Sequence, residues 1–309
     1  MIGGCTSVHS ECGTPYHLVW TDQQKLVQDI ETLSSPAFEG RKTTTKGAEL
    51  ARTYIIHRMR QTKLTPWQRS FEQGFDYAYQ FRTRHGINVI GMLQATTPTN
   101  KWRIVVAHYD HLGKKGTTFY PGADDNASGV AAMIALAEQA SMQDPLPTNL
   151  LFIATDAEEP GLYGSEAIVK RLMQQDSVPA KAQIELVINL DMIGRPSRQN
   201  SIHVEGRRGF NQFEQLHVKL QQAVGLCIRA NHPPAAGRTI QRVDWLRASD
   251  HYPFHKAKIP WLYFGVPPHL DYHQPSDKVS KIDINFLAAV TETAYQLLVI
   301  DSYLLNNQQ

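Results

Sequence analysis

The sequence predicts an α/β fold: a mixed, largely parallel central β-sheet flanked by helices. Short apolar runs at Ile104-Val105-Val106-Ala107, Leu150-Leu151-Phe152-Ile153-Ala154, residues 185–190 and Trp261-Leu262-Tyr263-Phe264 have the length and composition of strands. The unbroken run 150–154 is the pattern of a strand covered on both faces. Segments of helical periodicity separate these runs, and that alternation is the signature of an α/β sheet. Histidines and carboxylates directly follow several of the runs, and ligand sites in open α/β sheets form outside the carboxyl ends of strands.

In chain order, residues 1–20 read as a polar tail and residues 21–309 as one domain, because no linker divides them. Thr21 to Leu33 has a helical stripe of Leu26, Val27, Ile30 and Leu33, with Thr21 or Asp22 as its cap. Ser34 to Arg41 is a turn-rich link. A second helix covers about 47–62, with Ala48, Ala51, Tyr54, Ile55 and Met59 on one side. Phe71 to Arg82 alternates aromatic and polar residues as a half-exposed edge strand does. Ile87 to Leu93 is the next strand, and 103–107 the core strand. Helices follow at 128–140, 166–174 and 210–224, with strands at 150–154, 185–190 and 202–205. Asn126 or Asp125 is placed to cap the first of these helices. Residues 231–247, with Pro233, Pro234 and Gly237, form a loop over the active face. Strand 261–264 precedes a long C-terminal helix capped by Asp283.

Composition sets the class. In 309 residues, 42% are apolar and 19% charged, which is ordinary for a globular protein with a substantial core. A formal net charge of +2 gives no electrostatic case for nucleic acid or for an anionic membrane surface. No run of 18 apolar residues is present, so no spanning helix is expected. Three cysteines, Cys5, Cys12 and Cys227, make neither a disulfide framework nor a Cys-x-x-Cys metal pair. The spacing leaves open a Cys5–Cys12 bridge or two free thiols in the tail.

Five polar segments carry the chemistry: His108-Tyr109-Asp110; Asp124-Asp125; Asp156 to Ser165 with Glu158-Glu159; Asn189 to Gly194 with Asp191; and Asp271 to Asp277 with His273. Each has a bland reading. A His-x-Asp pair can be structural, Asp124-Asp125 can cap a helix, and Glu158-Glu159 can be a solvated loop pair. Asp191 resists such a reading, because a carboxylate inside the apolar stretch 187–193 is costly without a partner. Imidazole nitrogen and carboxylate oxygen together are the donors of zinc and similar divalent metals.

In this order the segments resemble the di-zinc aminopeptidases, the family of bacterial leucyl aminopeptidases and aminopeptidases S and Y. The resemblance runs from about Leu33 to Leu298 and includes Phe38-Glu39-Gly40-Arg41, Asn88-Val89-Ile90-Gly91 and Ser249 to Phe254. It implies the zinc-exopeptidase (phosphorylase/hydrolase-like) fold and two Zn2+ ions held by His108, Asp124, Glu159, Asp191 and His273. Asp124 would bridge the metals, and a cis peptide bond would join it to Asp125. Asp110 would orient the His108 imidazole, and Glu158 would be the general base. The activity implied is removal of the N-terminal residue from a peptide with a free N-terminus. Two metals roughly 3.5–4 Å apart can activate a water while a nearby carboxylate takes its proton. Some relatives have a tyrosine shortly before Ser-Asp-His that stabilises the oxyanion; here Trp245-Leu246-Arg247-Ala248 precedes it, so either zinc takes more of that work or another group such as Tyr252 or Arg247 substitutes.

Competing readings are a related di-zinc amidohydrolase (carboxypeptidase or dipeptidase), a glutaminyl cyclase relative, and a non-catalytic binding module on the same fold. The full ligand set with Glu158 stands against the last two. At the N-terminus, Ile2-Gly3-Gly4-Cys5 resembles the end of a bacterial lipoprotein signal. That match makes Cys5 a candidate lipid-anchor site and the cell envelope the expected location, with the cytoplasm as the alternative.

Overall fold

The structure is a computed structural model describing residues 12–13, 15–231 and 243–306. Ile2 to Cys5 and most of the loop expected at 231–247 lie outside the described residues.

Nine strands form one mixed sheet among the described residues. In chain order they are β1 (Thr65–Pro66), β2 (Glu72–Tyr79), β3 (Arg82–Leu93), β4 (Trp102–His108), β7 (Asn149–Thr155), β8 (Ile184–Leu190), β9 (Ser201–Glu205), β10 (Cys227–Arg229) and β11 (Trp261–Gly265), with a separate hairpin of β5 (Lys114–Lys115) and β6 (Thr118–Phe119). The spatial order is β1-β3-β7-β4-β8-β11-β9-β10, and β2 pairs with β3. Strands β7, β4, β8 and β11 are mutually parallel, whereas β3 meets β7 and β9 meets β11 antiparallel. The sheet is therefore parallel at its centre and antiparallel where β3 and β9 join it. Every residue of β4 and β7 is buried, as continuous apolar strands require when helices cover both faces.

The helices are α1 (Gln23–Leu33), α2 (Lys46–Gln61), α3 (Gly129–Met142), α4 (Tyr163–Leu172), α5 (Phe213–Val224), α6 (His251–Lys256) and α7 (Ile284–Val299). Asp22 caps α1 by accepting from the Gln24 and Lys25 amides, and Asp283 caps α7 through Phe286. Helices α3 and α7 bury nearly all their length under the sheet, so their periodicity is weak and their Ala-rich composition allows close approach. The short β10, the helix α6 and the hairpin β5–β6 carry too few residues to show a period.

Two expectations about the N-terminus are corrected. Described residues of the tail are packed onto the domain. Tyr16, Leu18 and Trp20 lie against the main core, and the buried carboxylate of Glu292 on α7 accepts the amides of Val19, Trp20 and Thr21 at 2.8–3.0 Å. A buried carboxylate needs such donors, and three backbone amides lock this segment down. Cys12 pairs with Cys227 at the start of β10, across 215 residues of chain, in place of either a Cys5–Cys12 bridge or free tail thiols. The spacing could not show this, because the fold alone brings β10 beside the tail.

Cys12 and Cys227 should therefore resist alkylation in unfolded, unreduced protein and react only after reduction, which peptide mass mapping reads directly. Cys227→Ser should lower the unfolding free energy by about 2–4 kcal/mol.

Candidate active site

Strand β4 ends on His108, β7 runs into Asp156-Ala157-Glu158-Glu159, and β8 runs into Asp191. These three strands are adjacent and parallel, so their carboxyl ends open into one crevice. After β4 the chain moves to one side to form β7 and then crosses to the other side to form β8, leaving a gap where the loops diverge.

Each loop is pinned by hydrogen bonds to its backbone. Asp156 accepts the amides of Ile87 and Ala157, and Asn88 bridges the Asp156 amide and the Gly164 carbonyl. The Asp110 carboxylate accepts the amides of Glu158 at 3.0 Å and Glu159 at 3.4 Å. His108 Nδ1 lies 3.2 Å from the Asp110 carbonyl oxygen and 3.9 Å from its carboxylate. Asp110 thus orients His108 through its backbone, and its carboxylate fixes the glutamate pair instead. Arg41, fully buried, donates to the carbonyls of Leu33, Tyr109, Pro121 and Gly122. Burial lowers its pKa to about 10 against the raising pull of Asp125 and other carboxylates.

The Asp124-Asp125 expectation is off by one residue. The Asp124 carboxylate points away from the crevice, accepting the Gly194 amide at 2.7 Å and lying 3.0 Å from His269 Nε2. Asp125 occupies the centre. Its Oδ1 is 3.4 Å from His108 Nε2, and its Oδ2 is 3.2 Å from His273 Nε2 and 3.7 Å from His111 Nδ1. The cis bond is Asp125–Asn126, not Asp124–Asp125. Asp277 holds this turn by accepting both the Asp124 and Asp125 amides, while Asn126 ties it to the Leu190 carbonyl and the Met192 amide.

Two ligand groups result. His108, Asp125 and Asp191 form one, with His108 Nε2 3.3 Å from Asp191 Oδ1. His111, Asp125 and Glu159 form the other, joined by His273, whose Nε2 is 3.2 Å from Glu159 Oε2. Of the expected ligands, the structure gathers His108, Asp191, Glu159 and His273 and leaves out Asp124. Sequence reasoning placed Asp124 rather than Asp125 in the site and did not name His111 at all. The signal for the second was its place directly after Asp110.

The charge balance is that of a cation site. Burial opposes protonation of His108, but Glu158, Asp191 and Asp125 outweigh it and raise the imidazole well above its usual range. For His273 burial is likewise outweighed, by Asp125 and Glu159, which lift it to about 10. Burial would raise Glu159, yet His111 and His273 hold it below the usual carboxylate range. Glu158 is pushed well up, first by burial, with Asp191 and Glu159 adding and His108 opposing. Asp125 Oδ2 and Glu159 Oε1 are buried without a hydrogen-bond donor. Four carboxylates facing three imidazoles, with orphaned oxygens between them, fit a divalent metal by donor type and charge.

The cavity here is lined by His108, Asp125, Glu158, Glu159, Asp191 and His273 together with Met192, Trp245, Val266 and Tyr272 among others. The expected oxyanion substitutes do not reach it. Arg247 Nε donates to Tyr252 Oη at 3.2 Å, and neither residue lines the cavity among the described residues. The tyrosines that do are Tyr263 and Tyr272.

A family model described as peptidase family M28 matches residues 88–298, which contain every strand end just described. The chain belongs to peptidase family M28. Relatives include protein YfbL of Escherichia coli (strain K12), 27% identical over 63% of this chain and 65% of that one. Another is aminopeptidase YwaD of Bacillus subtilis (strain 168), 29% identical over 58% of this chain and 36% of that one. The matches thus span about one third to two thirds of these relatives' lengths. Among solved structures, BSAP, a zinc aminopeptidase from Bacillus subtilis, superposes with a TM-score of 0.68 at 16% identity, covering 89% of this chain and 95% of that one. At that identity the likeness shows the fold.

The two aspartates should separate cleanly on mutation. Asp125→Ala should strip divalent metal from both groups, as elemental analysis would record. Asp124→Asn should keep the metal content but lower stability by about 1–3 kcal/mol in thermal unfolding, because the Gly194 amide loses its charged acceptor.

Proposed function

We propose that this M28 peptidase is a zinc-dependent aminopeptidase that removes the N-terminal residue of peptides, with two zinc ions per chain and Glu158 as general base. The observation that carries this reading is the Asp125 carboxylate, which presents one oxygen to each of two ligand groups beside an unattached glutamate. His108 and Asp191 would complete one group, and Glu159 and His273 would serve the other. Zinc held there would polarise the scissile carbonyl and acidify the attacking water.

The chain's own residues account for the rest. Glu158 lines the cavity next to His108 and Asp191, and burial raises its proton affinity. A carboxylate in that state takes the proton of an attacking water and returns it to the leaving amine. Asp110 keeps the two glutamates in different roles. It grips both their amides at a turn that the Gly161 and Leu162 amides close on the Glu158 carbonyl. The free N-terminus of the substrate is carried over from relatives named aminopeptidase, such as YwaD of Bacillus subtilis. We also place the protein in an oxidising compartment, on the strength of the Cys12–Cys227 bridge, with Cys5 as lipid attachment site in the cell envelope. Envelope-extracted protein whose N-terminal peptide carries no lipid at Cys5 would remove the anchor.

A panel of aminoacyl substrates and N-blocked dipeptides tests the activity. Cleavage of the free-amine set alone is expected, whereas cleavage of the blocked set would favour a carboxypeptidase or dipeptidase. Glu158→Gln should keep both metals and lower kcat by about 10²–10⁴. Glu159→Gln should weaken metal binding, with activity partly restored by excess zinc. Swapped phenotypes would overturn the assignment of the two glutamates.

A further inference from the structure

Strand β3 pairs with β7 from Val89, opposite Ala154, to Leu93, opposite Leu150. The two strands are antiparallel, so residues 82–88 of β3 run on past the carboxyl end of β7. Over that stretch, among the described residues, β3 is paired with β2 alone. The hairpin therefore stands as a wall at the end of the sheet that carries His108, Glu158 and Asp191. Phe75, Tyr77 and Tyr79 on β2 share one face of it with Gly86, Arg84 and Arg82, their partners on β3. Phe75 lies across Gly86, where a Cβ would fall 2.3–2.9 Å from its ring. Tyr77 stacks on Tyr163 with ring centroids 4.5 Å apart. The Tyr163 amide donates to the Ala157 carbonyl, so this face is fastened to the loop that carries Glu158. Its two cations have no counter-charge. Among the described residues neither Arg82 nor Arg84 forms an ion pair, and Arg84 Nε is buried without a hydrogen-bond partner. On the opposite face the charges are matched: His85 lies 2.8 Å from Asp76, and Arg52 reaches Glu72 at 2.6 Å.

We propose that this face of the β2–β3 hairpin is a second substrate-binding surface, which takes acidic side chains of the peptide downstream of the scissile bond. A guanidinium with unmet donors beside aromatic rings is suited to a carboxylate. The placement sets which part of the peptide arrives there. His108 stands beside Thr155, and Arg84 lies five residues beyond Val89, the partner of Ala154. At about 3.3 Å per residue and about 4.8 Å between strands, the Arg84 backbone is about 13 Å beyond His108 and about 10 Å to its side. With the arginine side chain reaching out, an extended peptide that starts at the strand ends covers that gap in about three to five residues. Arg82 and Arg84 are two residues apart on one face, about 6.6 Å, so they match carboxylates at alternate positions of such a peptide. The hairpin thus selects substrates by sequence beyond the residue removed. This proposal rests on the aminopeptidase reading.

The test compares two leucine-led hexapeptide amides, one with glutamate at its third and fifth positions and one with glutamine there. For the zinc-loaded protein, kcat/KM on the glutamate peptide should exceed that on the glutamine peptide by about three- to tenfold, mainly through KM, which is the yield of two partly exposed charge pairs. Raising the ionic strength to about 1 M should bring the ratio close to one. Joint replacement Arg82→Gln and Arg84→Gln should do the same, whereas Arg84→Lys should keep part of the preference. The glutamine peptide is the reference within each protein, so a general loss of activity does not imitate the effect. Equal rates of the parent on both peptides, or a preference that survives the double replacement, would overturn the proposal and leave the aminopeptidase reading intact. So would sedimentation showing two copies joined through Phe81, fully exposed at the hairpin tip. A zinc-loaded parent that cleaves neither peptide would overturn the aminopeptidase reading itself, and this surface with it.

Discussion

The structure depends on holding several buried carboxylates together against their mutual repulsion. Asp125, Glu158, Glu159 and Asp191 converge on one crevice, where each charge is costly in a low-dielectric setting. They are kept there because their backbones are tied down, not because their side chains attract. Asp110 grips the amides of the glutamate pair, and Asp277 grips those of Asp124 and Asp125. Asn126 joins the Asp125 turn to the end of β8. Arg41 satisfies four carbonyls in the loops beneath. These residues lie under the site and set its precision, a task that belongs to supporting partners in metal centres generally.

The sheet supplies the place for such a crevice. With β4 between β7 and β8, the loops leaving its carboxyl end must diverge, and the gap is bounded by rigid backbone on three sides. Strand β11 adds the fourth side, carrying Tyr263 inward and leading to His273. The antiparallel β3 contributes through Asn88 and the Ile87 amide, which hold the loop after β7. This explains why Asn88-Val89-Ile90-Gly91 belongs with the site although none of its atoms faces the cavity.

The far edge is braced differently. β10 is short and, among the described residues, pairs with β9 alone, so it gains little from the ladder. The Cys12–Cys227 bridge and the Glu292 carboxylate fasten the tail across that side of the domain.

Much was legible in the sequence. The continuous apolar runs gave the central strands to within a residue or two, because burial on both faces leaves no room for polar residues. Asp22 and Asp283 as caps followed from side-chain chemistry that acts within three residues. His108, Glu159, Asp191 and His273 are named through the resemblance of their segments to the di-zinc aminopeptidases, and only Asp191 stands out by the cost of its apolar surroundings alone. What the sequence could not decide was anything set by direction. Asp124 and Asp125 are chemically the same, and only the loop, entered through Gly122 and gripped by Asp277, determines which one faces the crevice. His111 looked like one histidine among 13 until folding brought its ring over Gly122 and against Glu159. The same holds for Cys12 and Cys227, whose pairing across 215 residues exists only once β10 docks. Residue chemistry is local and can be read from the chain, but which side chains meet depends on backbone dihedrals and long-range packing, and these the tertiary structure alone decides.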